Sequence, residues 1–202
     1  MATTTREPRV RLFVALDLPD AIREGIGAWG TGVPADPALR VVPVENLHIT
    51  LAFLGSRPER DAERVAKVIE QSAAPAPLVE LLDPLPRPPR GRARLFALPA
   101  RSPGVEQLQA RLSELLISER LYEPEKRPFW PHVTVARVRA EGRGSRRPTR
   151  VSRPPGALPR ALSRPFRSVR LALYRSELQP SGARYVPLAQ VKLPAAGGSE
   201  VI

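Results

Sequence analysis

The stretch "NLHITLAFLG" (residues 46–55) alternates: Leu47, Ile49, Leu51 and Phe53 fall to one side, His48, Thr50 and Ala52 to the other. That two-residue period is what a β-strand with one buried face shows. Its central phrase, Leu47-His48-Ile49-Thr50, recurs as Pro131-His132-Val133-Thr134 inside "FWPHVTVAR" (129–137). The chain has only 2 histidines, and each is followed by a β-branched apolar residue and then a threonine. A threonine at that offset from both histidines arises by chance about once in a thousand. A single histidine in an apolar strand reads best as a satisfied core residue; the duplication points to a shared function instead.

The flanks repeat as well. "VRLFVALDLP" (10–19) is a β-prone run stopped by Pro19, and its Phe13 precedes His48 by 35 residues; a second "RLF" in "ARLFALPA" (93–100) places Phe96 36 residues before His132. Each interval holds an amphipathic helix. In the first, Ile22, Ile26 and Trp29 are helically spaced. In the second, "SPGVEQLQARLSELLISERL" (102–121), Ser102 is an N-cap, Pro103 takes the first helical position, and Val105, Leu108, Leu112, Leu115 and Leu116 share a face. Strand, helix and H-x-T strand therefore occur twice, which predicts two similar lobes that face each other, with His48 and His132 meeting across the cleft between them.

Gly55 reads as the end of the first motif strand and "SRPE" (56–59) as a capping box of Ser56 and Glu59, opening a helix with Val65, Val68, Ile69 and Ser72 on one face. Residues 75–91 read as a strand running into a Pro-rich loop. Residues 140–165 are dense in Arg, Gly, Ser and Pro without an aromatic; they are expected to form a mobile basic loop that buries little core, a solvated insertion being the preferred reading over a guide for a polyanion toward the cleft. "FRSVRLALYRSEL" and "ARYVPLAQVKL" around "QPSG" form a hairpin completing a sheet, and 194–202 form a disordered tail. Residues 1–202 thus make one domain of two intertwined lobes.

Composition narrows the class. A chain of 202 residues suits one well-packed domain. With no cysteine there is no disulfide framework, thiolate nucleophile or zinc–thiolate site, in keeping with a cytoplasmic protein. No signal core and no apolar run near the roughly 20 residues that span a bilayer are present, so no membrane association is expected. The formal net charge is +12, and Lys67, Lys126 and Lys192 are the only lysines. Arginine pairs bidentately with phosphate and stacks on bases. An arginine-rich composition also follows from a GC-biased genome, so basicity alone supports only an anionic partner.

The motif carries more. Imidazole, with an ordinary pKa near 6.5, serves as acid or base at neutral pH, so two can divide a reaction in which one proton is taken and another given. A threonine two residues along lies about 6 to 7 Å away on the same face and offers a hydroxyl donor. Two such strands make a four-group cradle. It lacks a carboxylate cluster or third ligand, so neither metal nor other cofactor is expected. The chemistry it suits is metal-free attack at phosphorus, with oxygens held by the two threonines and a nearby arginine.

"RLFVALDLP", "VPVENLHITLAFLG", "FWPHVTVAR" and the late "SELQPSGARY", in that order along the chain, together resemble the two-histidine (2H) phosphoesterase superfamily, in particular its bacterial and archaeal RNA 2',3'-cyclic phosphodiesterase branch, historically called 2'-5' RNA ligases. The resemblance implies a bilobal α+β fold, two antiparallel sheets lining a central cleft with helices on the outside, and a monomer acting on RNA with 2',3'-cyclic phosphate ends, with reversible 2'-5' ligation open beside hydrolysis. It implies His48 as proton donor to the departing 3'-oxygen and His132 as proton acceptor from water. Thr50 and Thr134 would hold phosphoryl oxygens, and Arg137 would offset developing charge. Strict alternation puts Arg137 on the face of Val133 and Val135, away from His132, so it reaches the phosphate only if the strand ends or bulges after Ala136. Trp130 reads as core packing ahead of a wall of the cleft or a base-stacking ring, and Phe13 and Phe96 read as core rather than base-stacking platforms. Two other readings stay open: a 2H enzyme acting on small cyclic nucleotides or ADP-ribose cyclic phosphate, and a non-catalytic RNA-binding module.

Overall fold

The structure is a computed structural model, and it describes residues 7–32, 36–179 and 182–195. In chain order the elements are β1 (Arg9–Asp17), α1 (Asp20–Gly32), β2 (Leu39–Val41), β3 (His48–Pro58), α2 (Asp61–Gln71), β4 (Leu78–Leu81), β5 (Leu85–Arg87), β6 (Leu95–Arg101), α3 (Pro103–Ser118), β7 (His132–Val138), β8 (Phe166–Arg167), β9 (Arg170–Gln179) and β10 (Gly182–Lys192). The expected repeat is present as β1–α1–β3 and β6–α3–β7. Every described strand pairing is antiparallel, in the order β10-β9-β1-β3-β7-β6-β4-β8, with β2 on β7 and β5 on β6.

The two half-sheets meet at one point. β3 and β7 pair only through Ile49↔Val133, the central residues of the two motifs. Ile49 and Val133 are fully buried, and beyond them the strands diverge and leave a cleft between the lobes. Apolar side chains drive the rest: Val65, Val68 and Ile69 of α2 and Val105, Leu108, Leu112 and Leu116 of α3 join Leu12, Val14, Leu16 and Leu51 in one continuous core. Ser102 caps α3 as expected, its hydroxyl accepting from the Val105 N–H at 3.2 Å.

Three expectations are corrected. Gly55 does not end β3; it adopts φ +70°, a conformation glycine takes without penalty, and the strand continues to Pro58. The capping box is therefore absent. Ser56 accepts from Arg9 Nε at 3.2 Å, and α2 starts at Asp61, whose buried carboxylate accepts from Arg57 Nε at 3.1 Å. Residues 140–165 are more than a solvated insertion: Leu158 and Leu162 are buried in the core, Trp29 Nε1 donates to the Ala157 carbonyl, and Ala140 bridges Pro148 in a short antiparallel ribbon. The hairpin β9–β10 is present, its turn residues 180 and 181 outside the described set. Of the expected tail, the Pro194 carbonyl accepts from the Ala76 N–H at 2.8 Å, and residues 196–202 lie outside the described residues.

Candidate active site

The antiparallel pair Ile49↔Val133 determines where the motif side chains go. Residues flanking a paired position point to the opposite face of the sheet, so His48, Thr50, His132 and Thr134 emerge together on the cleft side. All four line one cavity of about 870 Å³, with Arg137 beside them.

Each imidazole is held the same way. His48 Nδ1 lies 2.8 Å from the Asn46 carbonyl oxygen and His132 Nδ1 lies 2.7 Å from that of Trp130. A carbonyl only accepts, so both Nδ1 atoms carry the proton and both Nε2 atoms are left to face the cleft. Asn46 is itself tied down, its Nδ2 donating to the Ala183 carbonyl at 3.0 Å. His48 Nε2 stands 3.0 Å from Thr50 Oγ1, and with Nδ1 protonated the threonine hydroxyl is the donor. An aromatic ring backs each histidine. Phe13 stacks on His48 with centroids 5.1 Å apart, and Trp130 stacks on His132 at 4.2 Å.

Trp130 is thus not core. It is sandwiched between His132 and the guanidinium of Arg87, which lies 3.5 Å from the ring centroid. Phe13 is buried at 3% exposure, yet forms the cleft floor with Tyr174 and Tyr185 packed against it. Phe96 is buried in the core as expected. The two "RLF" phrases are not equivalent: Phe13 pairs with Phe53 and Leu95 with Arg137, while Phe96 pairs with Ala136. The second copy is slipped by one residue, which turns Phe96 to the opposite face.

A repeated irregularity accounts for Arg137. In β7 the register shifts between Phe96↔Ala136 and Ala97↔Thr134, leaving Val135 unpaired; in β3 it shifts between Val14↔Ala52 and Ala15↔Thr50, leaving Leu51 unpaired. Each is a β-bulge three residues after the histidine. Val135 and Ala136 both turn inward, as do Leu51 and Ala52, and the fifth residue after each histidine returns to the cleft. In β7 that residue is Arg137; in β3 it is Phe53, 59% exposed rather than buried with Leu51 as alternation had it.

The near two-fold symmetry is broken beneath the histidines. Opposite His48 in the ladder stands Asp17; opposite His132 stands Pro99. Asp17 is buried, accepts from Arg170 Nε at 2.6 Å and from Tyr174 Oη at 2.8 Å, and its charge favours protonation of His48. Burial outweighs it: desolvation pushes the His48 pKa down from 6.5 to about 4, against the Asn46 carbonyl and Asp17, with His132 and Arg137 adding to the fall. Burial also lowers His132, against the Trp130 carbonyl, and there Arg87 and Arg137 reinforce it. Arg11, Arg40 and Arg184 complete a basic cleft wall. Sequence reasoning missed this wall, Asp17 and Tyr185, although "SELQPSGARY" carries two of these residues.

The family follows from the chain as a whole. A model of the 2'-5' RNA ligase superfamily matches residues 18–176. This chain belongs to that superfamily. It is 31% identical over 198 residues to the RNA 2',3'-cyclic phosphodiesterase of Thermus thermophilus, covering 95% of this chain and 94% of the relative. It is 32% identical over 188 residues to the RNA 2',3'-cyclic phosphodiesterase of Escherichia coli, covering 90% and 95%. The crystal structure of E. coli LigT complexed with 3'-AMP superposes with a TM-score of 0.70 at 27% identity, covering 93% of this chain and 99% of that one. The resemblance carried by the H-x-T phrases is met, and so is the expected fold.

Proposed function

We propose that this member of the superfamily is an RNA 2',3'-cyclic phosphodiesterase that hydrolyses cyclic ends to 2'-phosphomonoesters through His48 and His132. The observation that carries the reading is the pairing Ile49↔Val133, which gathers two Nε2 atoms and two threonine hydroxyls in one arginine-walled cleft. In this reading His132 Nε2 takes a proton from water as its oxygen attacks phosphorus. The P–O3' bond breaks, and His48 Nε2–H delivers its proton to the departing 3'-oxygen, leaving a 2'-phosphate and a 3'-hydroxyl. Thr50 and Thr134 donate to the non-bridging oxygens, and Arg137 balances the charge that builds on them.

The hydroxyl of Thr50 has a double use. It donates to neutral His48; once His48 is protonated, Nε2–H becomes a donor and the threonine is released toward the phosphate. The asymmetry below the site supports the division of labour. Asp17 favours the imidazolium at position 48, whereas Arg87 disfavours it at position 132, and the anionic cyclic phosphate adds its own charge in favour of protonation. That the similar proteins are named RNA 2',3'-cyclic phosphodiesterases supports RNA ends over a small cyclic nucleotide as the substrate in this reading.

The test is turnover of an oligonucleotide ending in a 2',3'-cyclic phosphate by the wild type and by His48→Ala and His132→Ala. Loss of one acid–base group costs about 10²- to 10⁴-fold, and each variant is expected to lose at least 10²-fold in kcat with an unchanged circular dichroism spectrum. Retained turnover in either variant overturns the mechanism.

A further inference from the structure

We infer that the ribbon beyond β7 is a track for the phosphate backbone of single-stranded RNA, several nucleotides from the cyclic end; the inference rests on the reading of the cleft as a site for RNA ends. β7 does not stop at Arg137. The chain continues outward, Glu141 N–H bonding to the Arg147 carbonyl, Ala140 bridging Pro148, and Thr149 N–H bonding to the Arg139 carbonyl. At roughly 3.3 Å per extended residue, this carries the ribbon about 10 Å past Arg137 by Ala140.

The ribbon is held at both ends to the segment that leads into β2. On the way out, Arg139 N–H donates to the Ala38 carbonyl, and β2 pairs Arg40 with Arg137. On the way back, buried Asp36 accepts from Ser152 N at 2.7 Å, Ser152 Oγ at 2.8 Å and Arg153 N at 2.8 Å, and also from Ala38 N at 2.8 Å. These backbone donors hold the Asp36 carboxyl well below its usual range. From the β5 side, Arg92 donates to the Pro148 carbonyl at 3.0 Å and pairs with Glu141. A buried anion and two anchored ends are what a device needs to present charge in a defined place.

The charge it presents is unbalanced. Glu141 takes both Arg92 and Arg147. Arg139, Arg143, Arg146 and Arg150 are exposed, and none of the ion pairs among the described residues includes them. Four guanidiniums on one short ribbon repel one another, and a polyanion relieves that repulsion. They continue the positive wall of Arg40 and Arg137 outward from the cleft. Residues 140–165 contain no aromatic residue, so bases have no ring to stack on there and recognition falls to phosphate, independent of sequence.

The experiment compares wild type with Arg143→Glu/Arg146→Glu/Arg150→Glu on two substrates, a 12-nucleotide RNA with a 2',3'-cyclic end and 2',3'-cyclic AMP, from 50 to 300 mM salt. For the long RNA, KM is expected to rise at least tenfold with kcat unchanged. The slope of log KM against log salt is expected to weaken by about 2, since each single-strand phosphate contact contributes roughly 0.7; KM for cyclic AMP is expected to move less than twofold. Equal effects on both substrates, or none on the long RNA, overturn the ribbon's role. If wild type turns over neither substrate, the function reading fails by itself; the ribbon is then judged by fluorescence anisotropy with a 12-nucleotide RNA ending in a 3'-phosphate, where the triple variant binding as tightly as wild type overturns it.

Discussion

Replacing Asp17 with asparagine tests which histidine gives the proton. Asparagine keeps the shape of the side chain and an oxygen for Tyr174 and Arg170, and removes the charge opposite His48. Directly paired residues hold their Cβ atoms about 5 Å apart. Two unit charges about 6 Å apart interact by roughly 3 kcal/mol at an effective dielectric of 20 and below about 1 kcal/mol in water. Arg170, ion-paired to Asp17, cancels part of that, which leaves about 1 kcal/mol, or roughly 0.7 of a pH unit. The His48 pKa, about 4 in the wild type, falls further in the variant. If His48 is the acid, its protonated fraction at neutral pH drops in proportion, so kcat/KM at pH 7 falls about fivefold. If His48 were the base, it would be fully deprotonated at pH 7 in both proteins and kcat/KM would not change. The assay is the pH profile of kcat/KM on 2',3'-cyclic AMP, with the His48 titration followed by its imidazole NMR signal. With 2 histidines in the chain, a His132→Ala background isolates that signal. A lowered His48 pKa with unchanged kcat/KM at pH 7 refutes the assignment.

Ile49→Ala removes a fully buried side chain at the single residue pair joining β3 to β7; a loss of about 2 to 5 kcal/mol in urea unfolding is expected, with kcat falling more steeply than for an equally destabilising change at Leu112, and equal falls would contradict the role of that pair in aligning the motifs. Stability should also fall in acid. His48 binds a proton near 6.5 when unfolded but only near 4 when folded, so the stability present above pH 6.5 is lost as pH drops from about 6.5 to about 4, by about 3 kcal/mol at most. A His48→Gln variant is expected to lose less over that window, and an identical loss in both proteins would count against a buried neutral His48.

Much of the site was legible because it rests on local rules. Alternation placed His48 and Thr50, and later His132 and Thr134, on one face, and the doubled strand–helix–strand placed the two phrases in equivalent settings. What alternation could not supply was the bulges. Strict period two buries Phe53 and turns Arg137 away from the phosphate, and it is the extra residue at Leu51 and at Val135 that returns both to the cleft. A bulge is set by the partner strand, which no local pattern names. The same holds for the slipped "RLF" copy, whose register is decided by pairing with Ala136 rather than by its own letters. No local pattern singles out Asp17; only the ladder puts it opposite His48. Residues 140–165 read as solvated because their composition is poor in large apolar residues, and Asp36, more than a hundred positions away, supplies the order they lack in themselves.

The most direct measurement is the identity of the product. An oligonucleotide ending in a 2',3'-cyclic phosphate, incubated with the protein in EDTA and examined by phosphorus NMR, should yield a 2'-phosphate with a free 3'-hydroxyl. A 3'-phosphate would contradict the assignment of the leaving oxygen to His48, and turnover that appears only when a divalent metal is added would contradict the two-histidine mechanism itself.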